Sequence, residues 1–150
     1  MAITGQNTGD YAVNVDGGRW NACQKTVTYT TLTTGAQGAA TLFTVIGSVR
    51  CKLIARCTTD LAGATATIAI GTAKTTGGLI AQTTATDIDA NEIWQDATPD
   101  ASVELETVAA TKIVIQDIIS TIATAAISGG VIEYCLLWQP VSTNGTVVAA

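Results

Sequence analysis

The stretch SVRCKLIARCT, residues 48–58, decides the fold class. Val49, Cys51, Leu53, Ala55 and Cys57 occupy alternate positions, and Arg50, Lys52, Ile54 and Arg56 fill the positions between them. Successive side chains of a strand point to opposite faces. The spacing therefore predicts a strand with one apolar face turned to a core and three of the chain's seven basic groups turned outward.

The same period recurs on both sides of this stretch. Residues 25–30 alternate Lys and Thr with Val27 and Tyr29, and an apolar run follows at 40–46. Between them, residues 33–38 read as a turn. Downstream, strands are expected at 64–71, 79–84, 102–108, 112–119 and 131–138, with Ile113 and Ile115 facing inward. Gly77-Gly78 and Asn144-Gly145 mark turns, and Gly129-Gly130 leads into the strand at 131–138. Residues 118–126 accumulate Ala and Ile as a helix would, but their Thr content and Gly-Gly exit favour a strand. Residues 1–24 hold four glycines with few periodic apolar positions and read as an extended N-terminal arm. The expectation is all-β: an antiparallel β-sandwich or jelly roll over 25–150, preceded by the 1–24 arm.

Composition agrees. Hydrophobic residues make up 47% and charged residues only 13% of the 150, against roughly 25% charged in an average domain. Thr takes up much of the difference, in pairs such as Thr30-Thr31, Thr58-Thr59 and Thr83-Thr84. Its β-branched side chain suits a pleated surface. A net charge of −5 argues against nucleic acid as a partner, which needs clustered Lys and Arg. No apolar run reaches the length of a membrane span, and the first residues lack the pattern of a secretion signal, so synthesis in a cytosol with reduced cysteines is expected.

The chain contains no histidine, which removes the histidine-based triads and most catalytic zinc sites, so no enzymatic activity is expected. No phosphate-cradling glycine loop occurs either. The four cysteines form no C-x-x-C pair. Cys51 and Cys57 lie about 20 Å apart along one strand and cannot pair with each other. All four are expected as core or partly exposed thiols, with a bridge from Cys135 to either left open.

The segment TATDIDANEIWQDATPD, residues 84–100, opens an acidic region: 87–106 holds seven of the twelve carboxylates. Asp87, Asp89 and Asn91 match the first three ligands of a calcium loop. Position six is Glu92 instead of Gly, and position twelve is Thr98 instead of Glu, so an EF-hand is excluded. An irregular cation site stays open, and an acidic solvated loop is the expectation, with no metal or other cofactor. Ile88, Ile93 or Trp94 is expected in the core or against a neighbouring subunit. Arg50, Lys52 and Arg56 read as a solvated strand face or as partners for the acidic segment of another copy.

Residues 49–99, above all TATIAIGTA, GLIAQTTATDID and EIWQDATP, resemble structural proteins of tailed bacteriophages. The likeness is greatest to small β-sandwich capsid decoration (cement) proteins. The resemblance implies a homotrimer on the capsid exterior that binds the major capsid protein and stabilises the head by bridging its subunits, with an arm reaching over them. Candidate contacts are Tyr11, Arg19, Trp20, Arg50, Lys52, Arg56, Asp87, Asp89 and Trp94. A tail or head-fibre component is the nearest alternative. A carbohydrate-binding β-sandwich is another, and it requires Trp94 and Trp138 to be exposed and adjacent.

Overall fold

The structure is a computed structural model that describes residues 19–150. The expected 48–58 strand is the middle of the first sheet, as β3 (Val49–Ala62). One edge of β3 pairs with β10 (Gly129–Pro140), which pairs in turn with β1 (Asn21–Thr28). The other edge is shared. β6 (Glu92–Trp94) takes Ala55 and Arg56 and carries β7 (Asp100–Ala101) beyond it, and β8 (Lys112–Val114) takes Val49 to Cys51. The second sheet runs β11 (Thr146–Ala149), β2 (Gly38–Ile46), β9 (Ile118–Ala123), β4 (Thr67–Gly71) and β5 (Ile80–Thr84). All pairings are antiparallel, and one hydrophobic core lies between the sheets. Among the described residues no helix is long and apolar enough to cross a membrane.

Period 2 places the core as expected. Val49, Cys51, Leu53, Ala55 and Cys57 are all buried, and β10 aligns Leu136, Tyr134 and Ile132 with Leu53, Ala55 and Cys57. The second sheet answers with Phe43, Val45, Ile68, Ile70, Ile118 and Ile122. Burying one such aliphatic side chain contributes roughly 1.5–3 kcal/mol. At the start of β10 the register shifts, so that Gly129 faces Ala62 while Val131 faces Thr59. Gly130 makes the shift possible with φ of 110°, and a Cβ there would stand 2.6 Å from the Asp60 carbonyl oxygen.

Two buried polar contacts sit within this apolar filling. The Tyr29 and Tyr134 hydroxyls are 2.7 Å apart, on neighbouring parts of the first sheet. Burial pushes the pKa of both well above the usual tyrosine range. On the opposite flank the Trp94 indole N–H donates to Thr83 Oγ1 at 2.8 Å, linking β6 of one sheet to β5 of the other.

Several expectations are corrected. Residues 102–108 form no strand: Ser102 has φ of 61°, and Glu106–Val108 is a single 3₁₀ turn. The left-handed Ser102 and the 3₁₀ turn that follows take this stretch out of the extended path a strand needs, whatever its alternation. Residues 112–119 are two strands, β8 in the first sheet and β9 in the second, and 115–117 make the crossing. The Asp117 carboxylate accepts the Val45 N–H at 2.9 Å where the chain arrives. Because Val114 pairs with Val49 and is the buried residue of β8, Ile113 and Ile115 face solvent, at 69% and 72% exposure. β1 begins at Asn21, so Asn21 to Gln24 belong to the sheet and not to an arm. Of the rest of the expected arm, Arg19 and Trp20 are described, and residues 1–18 lie outside the described residues. Residues 118–123 are strand, as the sequence favoured.

Replacing Tyr29 by Phe strands the Tyr134 hydroxyl in the core, and should cost about 1–3 kcal/mol in urea unfolding. Replacing both tyrosines by Phe removes the orphan and should recover most of that loss. A double variant as unstable as the sum of the singles would refute the shared bond.

Candidate functional site

The basic face of β3 is real, and the chain itself covers part of it. Arg50 and Lys52 lie 5.3 and 5.9 Å from the centre of the Trp20 ring. Beneath that segment Gln139 is buried, and its Nε2 donates to the Arg19 carbonyl at 3.1 Å. Lys52 pairs with Glu106 at 2.7 Å, and Arg56 pairs with Glu133, its cross-strand neighbour, at 2.7 Å. The hydrogen bond from Lys52, and then its charge, hold the Glu106 carboxyl below its usual pKa. Of this face, read from the sequence as solvated or as partner to another copy's acids, Lys52 and Arg56 meet carboxylates of their own chain. Exposed pairs of this kind contribute about 0–1 kcal/mol each.

The acidic segment divides into two places. Around Asp89, carboxylates hold backbone: Glu92 accepts the Asp89 N–H at 2.8 Å and Asp60 accepts the Ala90 N–H at 2.7 Å. These bonds fix a turn in which Asn91 takes φ of 69°. Asp87 and Asp89 are exposed. Among the described residues no three carboxylates or cysteines converge as a metal site. Farther along, Glu104 lies beside Asp100 and Asp96. The Leu105 N–H pulls the Glu104 pKa down, yet the shared hydrogen bond and repulsion from Asp100 leave it raised.

Trp94 is corrected as a contact residue. It is fully buried and its N–H is satisfied, so it faces the core and no partner. The exposed Trp94–Trp138 pair required by a sugar-binding surface is absent, since Trp138 packs partly buried against the core. Of the other candidates, Arg19, Trp20, Arg50 and Lys52 are brought together, Arg56 sits higher on the same face, and Tyr11 lies outside the described residues.

All four cysteines are free. Cys135 pairs with Ile54, whose side chain faces outward, whereas Cys51 and Cys57 face the core. A bridge between the two faces is therefore excluded. Burial pushes both the Cys51 and the Cys57 thiol up from 9.0 to about 11.

Two surfaces escaped the sequence reading. None of the five strands of the second sheet contains a charged residue, and its outer face is built of Thr, Ala, Ile and Val, including Thr44, Ile46, Thr67, Ile119, Thr121 and Val148. The Thr121 hydroxyl is buried without a hydrogen-bond partner. The second surface is the β8 edge of the first sheet, where Val103, Leu105, Ile113 and Ile115 are all exposed. Counting charges strand by strand would have flagged the first. The second depended on β8's phase, which a three-residue strand does not declare. No family model, curated protein or solved structure matches this chain.

In thiol-reagent titration Cys51 and Cys57 should stay unreactive until the protein unfolds, while Cys23 and Cys135, both half-buried, react first. The raised thiol pKa values also set an alkaline limit. Stability from the buried neutral thiols is fully present below about pH 9 and is lost as pH rises toward 11. Four equally fast thiols in the native protein would contradict this arrangement.

Proposed function

We propose that this chain is a virion structural protein of a tailed bacteriophage, a decoration protein that binds the outside of the capsid and bridges its subunits. The observation that carries the reading is the second sheet, whose five strands hold no charge in a chain of net charge −5. A broad Thr/Ala/Ile face can be laid against a neighbour without stripping water from ions, which is the costly part of burying a polar surface. The strand order supports the same class. With β6, β7 and β11 set aside, β1-β10-β3-β8 opposite β2-β9-β4-β5 fits the reading of the domain as a jelly roll, an architecture shared by viral capsid and lectin domains. The seat of Arg19 and Trp20 on the outer face of the first sheet supports an anchoring segment that starts there. On a lattice, many modest contacts of this kind sum to high avidity.

The test is co-sedimentation of the full chain with purified heads of the parent phage. Binding is expected, and Thr121→Lys or Thr44→Lys, each placing a charge on the second sheet's outer face, should weaken it at least about tenfold. Removing residues 1–18 should weaken it as well. A protein that binds tails and ignores heads is a fibre or tail component, and the decoration reading then fails.

A further inference from the structure

We infer that the flank between β8 and the β4–β5 turn is a docking cleft for an extended segment of a partner protein, one that alternates acidic and apolar residues. Both sheets end on this flank. β8 is hydrogen-bonded to β3 on one side only, and β5 is the last strand of the second sheet. Level with β6 the flank is closed, because Trp94 of one sheet reaches Thr83 of the other. Level with β8 it stays open, as a cleft of about 360 Å³ whose walls include Leu79, Val114 and Ile115. The open side of β8 points to an extended polypeptide, since an added strand is what completes a strand edge.

Charge gives the sign of that occupant. Four of the chain's seven cations are answered within it: Lys25 by the Ala150 carbonyl, Arg50 by the Trp20 ring, Lys52 by Glu106 and Arg56 by Glu133. Lys74 and Lys112 have neither a carboxylate nor a ring among the described residues. Both are exposed and both line this cleft, which no carboxylate lines. Lys112 donates to the Gly78 carbonyl at 2.6 Å, which holds its ammonium toward the β4–β5 turn. In a chain of net charge −5 the cleft is a local reversal of sign, so it attracts an acidic partner and repels a basic one.

Register supplies the alternation. Lys112 and Val114 pair with Cys51 and Val49, which face the core, so both lie on the cleft side of the sheet. Ile113 pairs with Arg50 and lies on the outer side, 69% exposed. A strand laid along β8 repeats this division, because cross-strand neighbours share a face. Its residues on the cleft side meet the lysines and call for carboxylates, and those on the outer side meet Ile113 and call for apolar side chains. The bare isoleucine alone accepts any apolar strand; the two lysines select among them. This cleft lies apart from the outer face of the second sheet, and the inference does not rest on the capsid reading.

The probe is a fluorescently labelled peptide of alternating glutamate and valine, about six residues long, the usual length of a strand. Its anisotropy should show saturable binding to the full 150-residue chain, and a peptide of alternating lysine and valine should show none. Lys74→Glu with Lys112→Glu should raise the Kd at least about tenfold. Lys74→Arg with Lys112→Arg keeps the charge and should keep the binding, whereas Ile113→Ser should weaken it. All three side chains are exposed, so unchanged thermal midpoints will show that the variants fold. No binding of the glutamate–valine peptide overturns the proposal, as does binding indifferent to reversal of Lys74 and Lys112. Sedimentation velocity covers the remaining occupant: a wild-type self-association lost in the reversed variant makes a second copy the ligand, and the partner reading then fails.

Discussion

The β3–β10 ladder is the constraint on which the other elements depend. Eleven residue pairs join the two strands, from Gly129–Ala62 to Pro140–Val49, and their inward side chains form the floor of the core. Once this ladder is in register, β1 has one edge to join and β6 and β8 have the other. A slip by one residue would send Cys51, Leu53 and Ala55 to the surface and Arg50, Lys52 and Arg56 into the core. Burying three cations without partners is prohibitive, so the alternation of this single strand excludes the neighbouring registers.

The two sheets divide the physical chemistry between them. The first contains the charged residues found in strands, and it settles Lys52 and Arg56 by pairing them with Glu106 and Glu133. The second contains none and presents a Thr-rich, Ala-rich outside. A small acidic domain thus has one side that keeps it hydrated and one side able to lose its water cheaply. The exposed β8 edge, where Ile113 and Ile115 face solvent, is a third kind of surface, apolar and uncovered within the chain.

Much of this was legible in residues 48–58, because alternation over ten residues fixes both strand and phase. The turn at Asn144-Gly145 and the body of β10 from Val131 were equally readable, since local turn chemistry and a long apolar run agree there, although β10 itself starts two residues earlier, at Gly129. The failures have physical causes. Residues 102–108 alternate as well as any strand, but the left-handed Ser102 and the 3₁₀ turn at Glu106–Val108 take them off the extended path. Ile113 and Ile115 were assigned inward because apolar residues usually are; only the Val114–Val49 pair decides the phase of so short a strand. Trp94 was offered both as core and as contact, and its bond to Thr83 from another sheet could not be read from spacing. For the interaction surfaces, composition revealed the shortage of charge but not its confinement to one sheet.

The central position of β10 has a consequence for biosynthesis. Its partners on either side, β1 and β3, are complete by residue 62, yet the strand that joins them ends only at Pro140. While the chain is being made, residues 21–128 leave the ribosome with the middle of the first sheet missing. The strands β1 and β3 then stand with open edges and nothing between them. Closure waits for nearly the whole chain, which makes folding a late and non-local event, and the interval before it is when wrong partners have most access.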